Sequence, residues 1–485
     1  MSHTFFWHDY ETFGIDTRRD APAQFAGIRT DADLNAIGEP VMLYCRPPRD
    51  ALPDPASCLI TGITPQLCEA RGLTEADFAR RVLEELGAEG TIGVGYNSLS
   101  FDDEVTRHLF WRNLIEPYGR EWQNQCSRWD LFNVVRCTFA LRPEGINWPL
   151  KDDGRPSLKL EHLSAANGLV HDAAHDALSD VRATIALARL LRERQPRLFD
   201  YCLSLRDKRK VWEVIGPLDE GRQPFLHVSG KLDPAHGYTA VVWPLARHPT
   251  NANEVIVWDL AEDPRALLGL GAAEIRRRLF TRREDLPEGL SRLPIKSIHV
   301  NQSPVVIKHL ATLGEARASH WGIDVDRALR HAEQARLHLA ALAAMPWAEV
   351  YARGPADDPV ALDAEQTLYG GPFLSNDDRR RLERLRLLDG AALAEQRPVF
   401  DDGRLDDLLL RYRARNWPNS LNEDEQAQWL SHCRARLHEG KGGHRTVAQV
   451  LERIDELAEQ RMAAGDERGQ AVLEALVDWV EAVTP

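Results

Sequence analysis

The rhythm of apolar and polar positions changes twice along the chain. Over residues 1–195, short apolar runs alternate with stretches of helical spacing. Phe5, Phe6 and Trp7 lead an apolar run through Tyr10 to Phe13, which predicts a buried strand. Residues 24–29 and 41–45 predict two further short strands, separated by Pro and Asp. Residues 74–86 have helical periodicity, 91–97 read as another buried strand, and 105–111 turn helical again. Residues 157–168 predict a short helix ended by Gly168. Asp176 fits the N-cap of a following helix that buries Ala183, Leu187, Leu190 and Leu191. Gln195-Pro196-Arg197 marks the exit from this region. Such alternation predicts an α/β layer domain over residues 1–195.

Residues 196–350 have a different pattern. Val241-Val242-Trp243-Pro244-Leu245, the run from Val255 to Leu260 and the run from Ile295 to Val300 are β-rich. Interspersed Gly and Pro predict a small barrel or a strongly bent sheet. Residues 351–485 are helical in period and highly charged, which predicts an α-helical third domain. No fixed-period repeat or long low-complexity linker interrupts the three.

Length agrees with this division, since 485 residues exceed what one compact core holds. No apolar run reaches transmembrane length, and the N-terminal residues lack the basic, apolar, small-residue order of a secretory leader. The seven cysteines are scattered and never form a C-x-x-C pair. A reducing cytoplasm without a disulfide framework or zinc site is therefore expected. The formal net charge of −14 argues against a protein coated non-specifically in nucleic acid. It leaves room for a nucleic-acid enzyme, because binding needs a local basic track, and 60 Lys and Arg residues suffice to build one.

The chemistry begins in the first strand. Asp9 and Glu11 are two residues apart, so a strand points both carboxylates to one side. Buried side by side they repel, and one tends to take a proton. A divalent cation removes the conflict, and hard oxygen ligands suit Mg²⁺ or Mn²⁺. The alternative is an edge strand whose polar face is solvated. Further candidates are Asp102, just after an apolar strand, and His175 and Asp180, which flank a helix start. Taken singly, Asp102 also fits a helix N-cap, Asp180 an ordinary helix-surface position, and His175 a solvated histidine.

Together the Asp9-Tyr10-Glu11 strand, the Asn97-x-x-x-Phe101-Asp102 segment and the His175-x-x-x-x-Asp180 segment resemble, in order and spacing, the DEDDh class of 3′-to-5′ exonucleases. The resemblance narrows with His8 to Gly14, Pro22-Ala23-Gln24-Phe25-Ala26, Leu59 to Gln66, Phe101 to Arg107, Ser127-Arg128-Trp129-Asp130, Arg142 to Pro149 and Tyr412-Arg413-Ala414-Arg415-Asn416. These are similar to the bacterial exodeoxyribonuclease I family over essentially the whole chain. That resemblance implies a ribonuclease-H-like exonuclease domain, an SH3-like β-barrel domain and an α-helical C-terminal domain, wrapped around single-stranded DNA. It implies processive 3′-to-5′ hydrolysis to 5′-mononucleotides in DNA repair and recombination, by a cytoplasmic monomer. Two Mg²⁺ ions, replaceable by Mn²⁺ and about 4 Å apart, would bridge the scissile phosphate. Asp9, Glu11 and Asp180, with Asp102, would hold them directly or through water, and His175 would be the general base. A further implied partner is the C-terminal tail of single-stranded DNA-binding protein, whose pocket the sequence does not locate.

A processive enzyme needs cations for phosphates and aromatic faces for bases. Candidates are Arg107, Tyr118, Trp122, Arg128, Arg136, Arg142 and Lys159, with Glu11 also facing substrate. Lys159 stands where the family places a basic residue near the terminal nucleotide. Core packing is the alternative for Tyr118 and Trp122, and an ion pair with Asp130 for Arg128. The runs Arg276-Arg277-Arg278 and Arg379-Arg380-Arg381 read as solvated helix faces. Two other functions compete with this one: action on RNA ends, for which no residue declares a contact to a 2′-hydroxyl, and a non-catalytic scaffold, which the five intact catalytic positions oppose.

Overall fold

The computed structural model describes residues 3–169, 176–352 and 363–484. They form two compact units. One is drawn from 3–127, 176–185 and 363–484, and the other from 128–169 and 186–352. The first unit thus joins most of the N-terminal α/β region to the C-terminal helices, a grouping by contact that cuts across the linear order.

In the first unit, strands β1 (Thr4–Thr12), β2 (Pro22–Thr30), β3 (Val41–Tyr44) and β4 (Thr91–Gly95) lie in the order β3-β2-β1-β4. β1 pairs antiparallel with β2 and parallel with β4. It is therefore an interior strand, which removes the solvated-edge alternative. Alternation sends Phe6 and Tyr10 into a core with Phe25, Phe78, Val82, Leu109 and Phe110. The helices Glu75–Leu86 and Asp102–Arg112 supply the other wall of that core. Thr74 caps the first of them by accepting from the Asp77 N–H.

Two short helices, Pro55–Thr61 and Pro65–Arg71, are absent from the sequence-based expectation. Their signals are nonetheless local: Asp54 and Thr64 cap them, and each has Pro at its first position. Their seven-residue lengths hide the apolar period. The C-terminal region is helical as expected, and Val450, Ile454, Leu457, Leu473, Leu476 and Trp479 share a core with Ala23 of β2 and with Phe13 and Ala21, which flank the β1–β2 turn.

A buried ionic network also lies in this unit. Asp50, fully buried, accepts from Arg415 at 3.0 and 2.6 Å and from Arg436 at 2.6 Å. Arg436 and Arg415 also meet Glu365 at 2.8 and 2.7 Å. Burial alone would raise the Asp50 carboxyl, but the two guanidinium charges hold it well below the usual range.

Strand β5 is Ser127–Asp130, and the second unit holds a separate antiparallel sheet in the order β10-β6-β7-β8-β9, built of β6 Phe225–Val228, β7 Thr239–Arg247, β8 Glu254–Asp259, β9 Ile295–His299 and β10 Val305–Ile307. The β-rich runs of the sequence become β7, β8 and β9. A register shift between Pro244 and Ala246 accommodates proline within an interior strand. The sheet packs Phe225, Val242, Val255 and Val257 against Val211 and Ile215 of helix Lys208–Ile215. All seven cysteines are free and buried. Among the described residues, no helix is long and apolar enough to cross a membrane.

Replacing Asp50 by Ala would leave Arg415 and Arg436 with Glu365 as their one remaining shared counter-charge among the described residues. Breaking a buried pair from one side costs about 3–5 kcal/mol, so Asp50→Ala is expected to lower stability by roughly 3 kcal/mol in urea unfolding.

Candidate active site

The parallel pairing of β1 with β4 runs from Thr4↔Thr91 to Trp7↔Val94. Asp9 and Glu11 lie on the part of β1 that continues beyond it, at the carboxyl end of the parallel strands. That is where open α/β sheets place their ligand crevices. On the other flank the β2 ladder fixes them opposite Ala26 and Gln24.

Asp180 comes from the first turns of helix Ala177–Arg194. Asp176 caps that helix, its Oδ2 accepting from the Ser179 N–H at 3.2 Å. Gln24 ties the helix start to the sheet: its Oε1 accepts from the Ala177 N–H at 3.3 Å, and its Nε2 donates to the Tyr44 hydroxyl at 3.1 Å. Gln24 is buried and sits across from Glu11, so one side chain sets the helix start beside the strand that carries Asp9 and Glu11. In consequence one carboxylate oxygen each of Asp9, Glu11 and Asp180 lie within 4.8 Å of one another. Among the described residues, this is the one group of three or more His, Cys, Asp or Glu side chains with metal-ligand spacing.

Asp102 enters from the adjoining segment as the first residue of its helix, and Phe101 occupies the N-cap position. Its Oδ1 accepts from the Tyr10 backbone N–H at 3.1 Å, between the two strand carboxylates. Thr106 secures the same corner, donating to the Asp102 carbonyl at 2.8 Å and lying 3.1 Å from the Tyr10 hydroxyl.

Electrostatics follow from that packing. Burial, followed by the charges of Asp102, Glu11, Asp180 and Asp176, raises the Asp9 carboxyl well above its ordinary value. Glu11 is pushed up to about 8, by burial first and then by Asp180, Asp102 and Asp176. The donor set is all oxygen and crowded with like charge, which fits hard divalent cations such as Mg²⁺ or Mn²⁺.

Four of the five residues expected to carry the chemistry thus converge, and the fifth, His175, lies outside the described residues. Sequence reasoning assigned no site role to Gln24 and placed Asp176 only as a cap. A glutamine inside an apolar strand, opposite the Glu11 carboxylate, was the available signal.

The expected DNA contacts divide into engaged and exposed groups. Arg107 is buried and donates to Glu121 at 2.7 and 3.0 Å, to Glu104 at 2.6 Å and to the Tyr369 hydroxyl at 3.0 Å. Tyr118 lies under Arg107, 5.3 Å from ring centre to guanidinium, and beside Tyr369 and Phe373. In the second unit, Arg136 stacks on Phe132 at 3.6 Å and Arg142 donates to the Leu141 and Thr312 carbonyls at 2.5 and 2.9 Å. Trp122 is 65% exposed, against the core-packing alternative. The Lys159 side chain is 66% exposed and reaches Glu161 at 3.1 Å.

Comparison with known proteins agrees with this architecture. Residues 6–188 match a family model described as Exonuclease, 206–353 the Exonuclease I SH3-like domain and 362–483 the Exonuclease I C-terminal domain. The chain is 43% identical to exodeoxyribonuclease I of Escherichia coli K12, over 99% of this chain and 98% of that protein. Among solved structures it is similar to a zinc-ion-bound E. coli ExoI–ssDNA complex, with 40% identity, a TM-score of 0.90 and 99% of each chain covered. It is similar to an ExoI/SSB-Ct complex at 40% identity and a TM-score of 0.90, covering 100% of both chains.

The raised carboxyls link stability to pH. With Glu11 near 8 in the folded chain and an ordinary value of 4.5, the metal-free fold binds more protons than the unfolded chain between those values. Its stability contribution is present at low pH and is lost as pH rises toward 8. In EDTA, Tm is expected to fall between pH 6 and 8.5. Added Mg²⁺ is expected to raise Tm more at pH 8.5 than at pH 6, as scanning calorimetry would show.

Proposed function

The chain belongs to the exodeoxyribonuclease I family, and on that premise we propose a processive 3′-to-5′ exonuclease that hydrolyses single-stranded DNA to 5′-mononucleotides. The observation that carries this reading is the convergence of Asp9, Glu11 and Asp180 within 4.8 Å, in a setting that presses Asp9 and Glu11 toward neutrality. Such a site gains most from a dication. The zinc-ion-bound relative supports metal binding, and its single-stranded DNA supports the substrate. Mg²⁺ is the proposed physiological ion.

Cations bound here supply charge to the scissile phosphate and acidify the attacking water. The chain's residues arrange that chemistry. Asp9 and Glu11 are held at fixed spacing by the β1–β2 ladder, and Asp180 is held by a helix start pinned through Gln24. Asp102, tied to the Tyr10 N–H, adds negative charge at the same point and would help hold a cation there. His175 is the proposed general base, on the strength of its place in the sequence motif.

For the DNA track we favour Trp122 and Lys159, whose stacking face and ammonium are exposed. Contacts from Arg107, Tyr118, Arg136 and Arg142 would come from groups already engaged within the protein. The single-stranded DNA-binding protein tail is a proposed partner through the ExoI/SSB-Ct relative. Action as a cytoplasmic monomer in DNA repair and recombination, with domains at 1–195, 196–350 and 351–485, belongs to the same proposal.

The test uses 5′-labelled single-stranded DNA, a matched duplex and a matched RNA, each with Mg²⁺ or EDTA. Metal-dependent shortening of the single-stranded DNA to mononucleotides is expected. Asp9→Ala is expected to lower the rate by more than about 100-fold, since metal charge stabilisation is worth several kcal/mol. RNA shortened as fast as DNA would overturn the substrate assignment, and binding without cleavage under any metal would overturn the catalytic one.

Lys159→Ala is expected to weaken single-stranded DNA binding alike for all sequences. It should reduce the slope of log affinity against log salt by about 1, as fluorescence anisotropy over a salt series would measure.

A further inference from the structure

Glu11 stands at a weak point of its strand. The β1–β2 ladder loses register between Glu11 and Thr12, so pairing does not by itself fix the strand beyond the ligand. Other contacts take over immediately. The Phe13 N–H donates to the Ala21 carbonyl at 2.9 Å, and the Phe13 carbonyl accepts from the Asp54 N–H at 2.7 Å. Asp20 folds back over the turn and accepts from the Asp16 N–H at 2.8 Å. It lies so close to Gly14 that any side chain there would overlap the carboxylate.

Asp20 is 6% exposed, and a carboxylate so placed needs a counter-charge. Arg445 supplies it from the C-terminal helices of the same unit. Its fork reaches Asp20 Oδ1 at 2.5 Å and Oδ2 at 3.1 Å, and lies 3.6 Å from Asp54. The two acidic residues flank Phe13, one through each of its backbone partners' neighbourhoods. Arg445 is itself placed firmly, because Thr446 caps helix Val447–Ala464 through a capping box. Val450, Ile454 and Leu457 of that helix share the core that Phe13 enters.

We infer that Arg445 is a positioning residue for the carboxylate site, clamping the exit of β1 through Asp20 and Asp54 so that Glu11 is held ready for a cation. This role rests on the assignment of Asp9, Glu11 and Asp180 as metal ligands. It makes cation affinity depend on a helix cap more than 400 residues away in sequence, since Asp20 and Arg445 are 425 residues apart. Residues that orient metal ligands without touching metal typically set affinity by 10–100-fold.

The experiment is Mn²⁺ binding by electron paramagnetic resonance, without DNA and well below the melting temperature, alongside Tm in EDTA. Full-length protein is compared with Arg445→Gln, Arg445→Lys, Asp20→Asn, Arg453→Gln and Asp9→Ala. Arg445→Gln and Asp20→Asn are expected to weaken Mn²⁺ binding about tenfold, with Arg445→Lys restoring part of the loss. Arg453→Gln, which removes an exposed pair with Glu456 on the same helix, is expected to bind as the unaltered protein does. An ion pair that merely stabilised the fold would lower Tm and leave affinity unmoved. Folded Arg445→Gln or Asp20→Asn protein that binds Mn²⁺ within twofold of the unaltered chain would overturn the clamp alone. Should the unaltered protein bind no Mn²⁺, or Asp9→Ala bind it equally, the metal-site assignment falls and the clamp falls with it.

Discussion

Mutual repulsion among carboxylates brought together at the end of one strand governs this structure. Asp9 and Glu11 share a face of β1, Asp102 and Asp180 are folded against them, and Asp176 adds its charge from a helix cap. No packing of apolar side chains relieves that repulsion. Protons or cations do, and the upward shifts of Asp9 and Glu11 express the cost of having neither. The interior position of β1, the polar pin at Gln24 and the tie from Asp102 to the Tyr10 N–H all serve to hold charges together that would otherwise separate.

The same chain shows the opposite solution to buried acid. Asp50 is more deeply enclosed than Asp9, yet Arg415 and Arg436 hold it well below the ordinary range. At Asp9 the charges that act most strongly are all carboxylates. One site is neutralised by the protein and is therefore structural. The other is crowded with like charge, which suits it to an external ion. Arg107 belongs with the first kind, since Glu104 and Glu121 consume its donors.

Much of this was legible in the chain. Asp9 and Glu11 declare themselves by strand spacing inside an apolar run, and the helix carrying Asp180 by its cap and period. The β-rich runs became β8 and β9 within one residue at each end and β7 with two further residues at each end. The short helices Pro55–Thr61 and Pro65–Arg71 escaped because seven residues do not establish a period. Arg107 illustrates a different limit. An arginine beside aromatic residues has one appearance whether it awaits a phosphate or already holds two glutamates, and only packing distinguishes the cases.

By itself the sequence determined the α/β, β-rich and helical succession and singled out Asp9, Glu11, Asp102 and Asp180, the carboxylates that the fold brings together. These rest on local periodicity and on the chemistry of side chains a few residues apart. Tertiary structure alone decided that β1 is an interior strand, that Gln24 sets the helix start, and that the C-terminal helices join the unit that carries the carboxylates. It alone brought Arg445 to Asp20 and Arg436 to Asp50. Those pairings span hundreds of residues, and no local pattern encodes which of sixty basic side chains will meet a given acid.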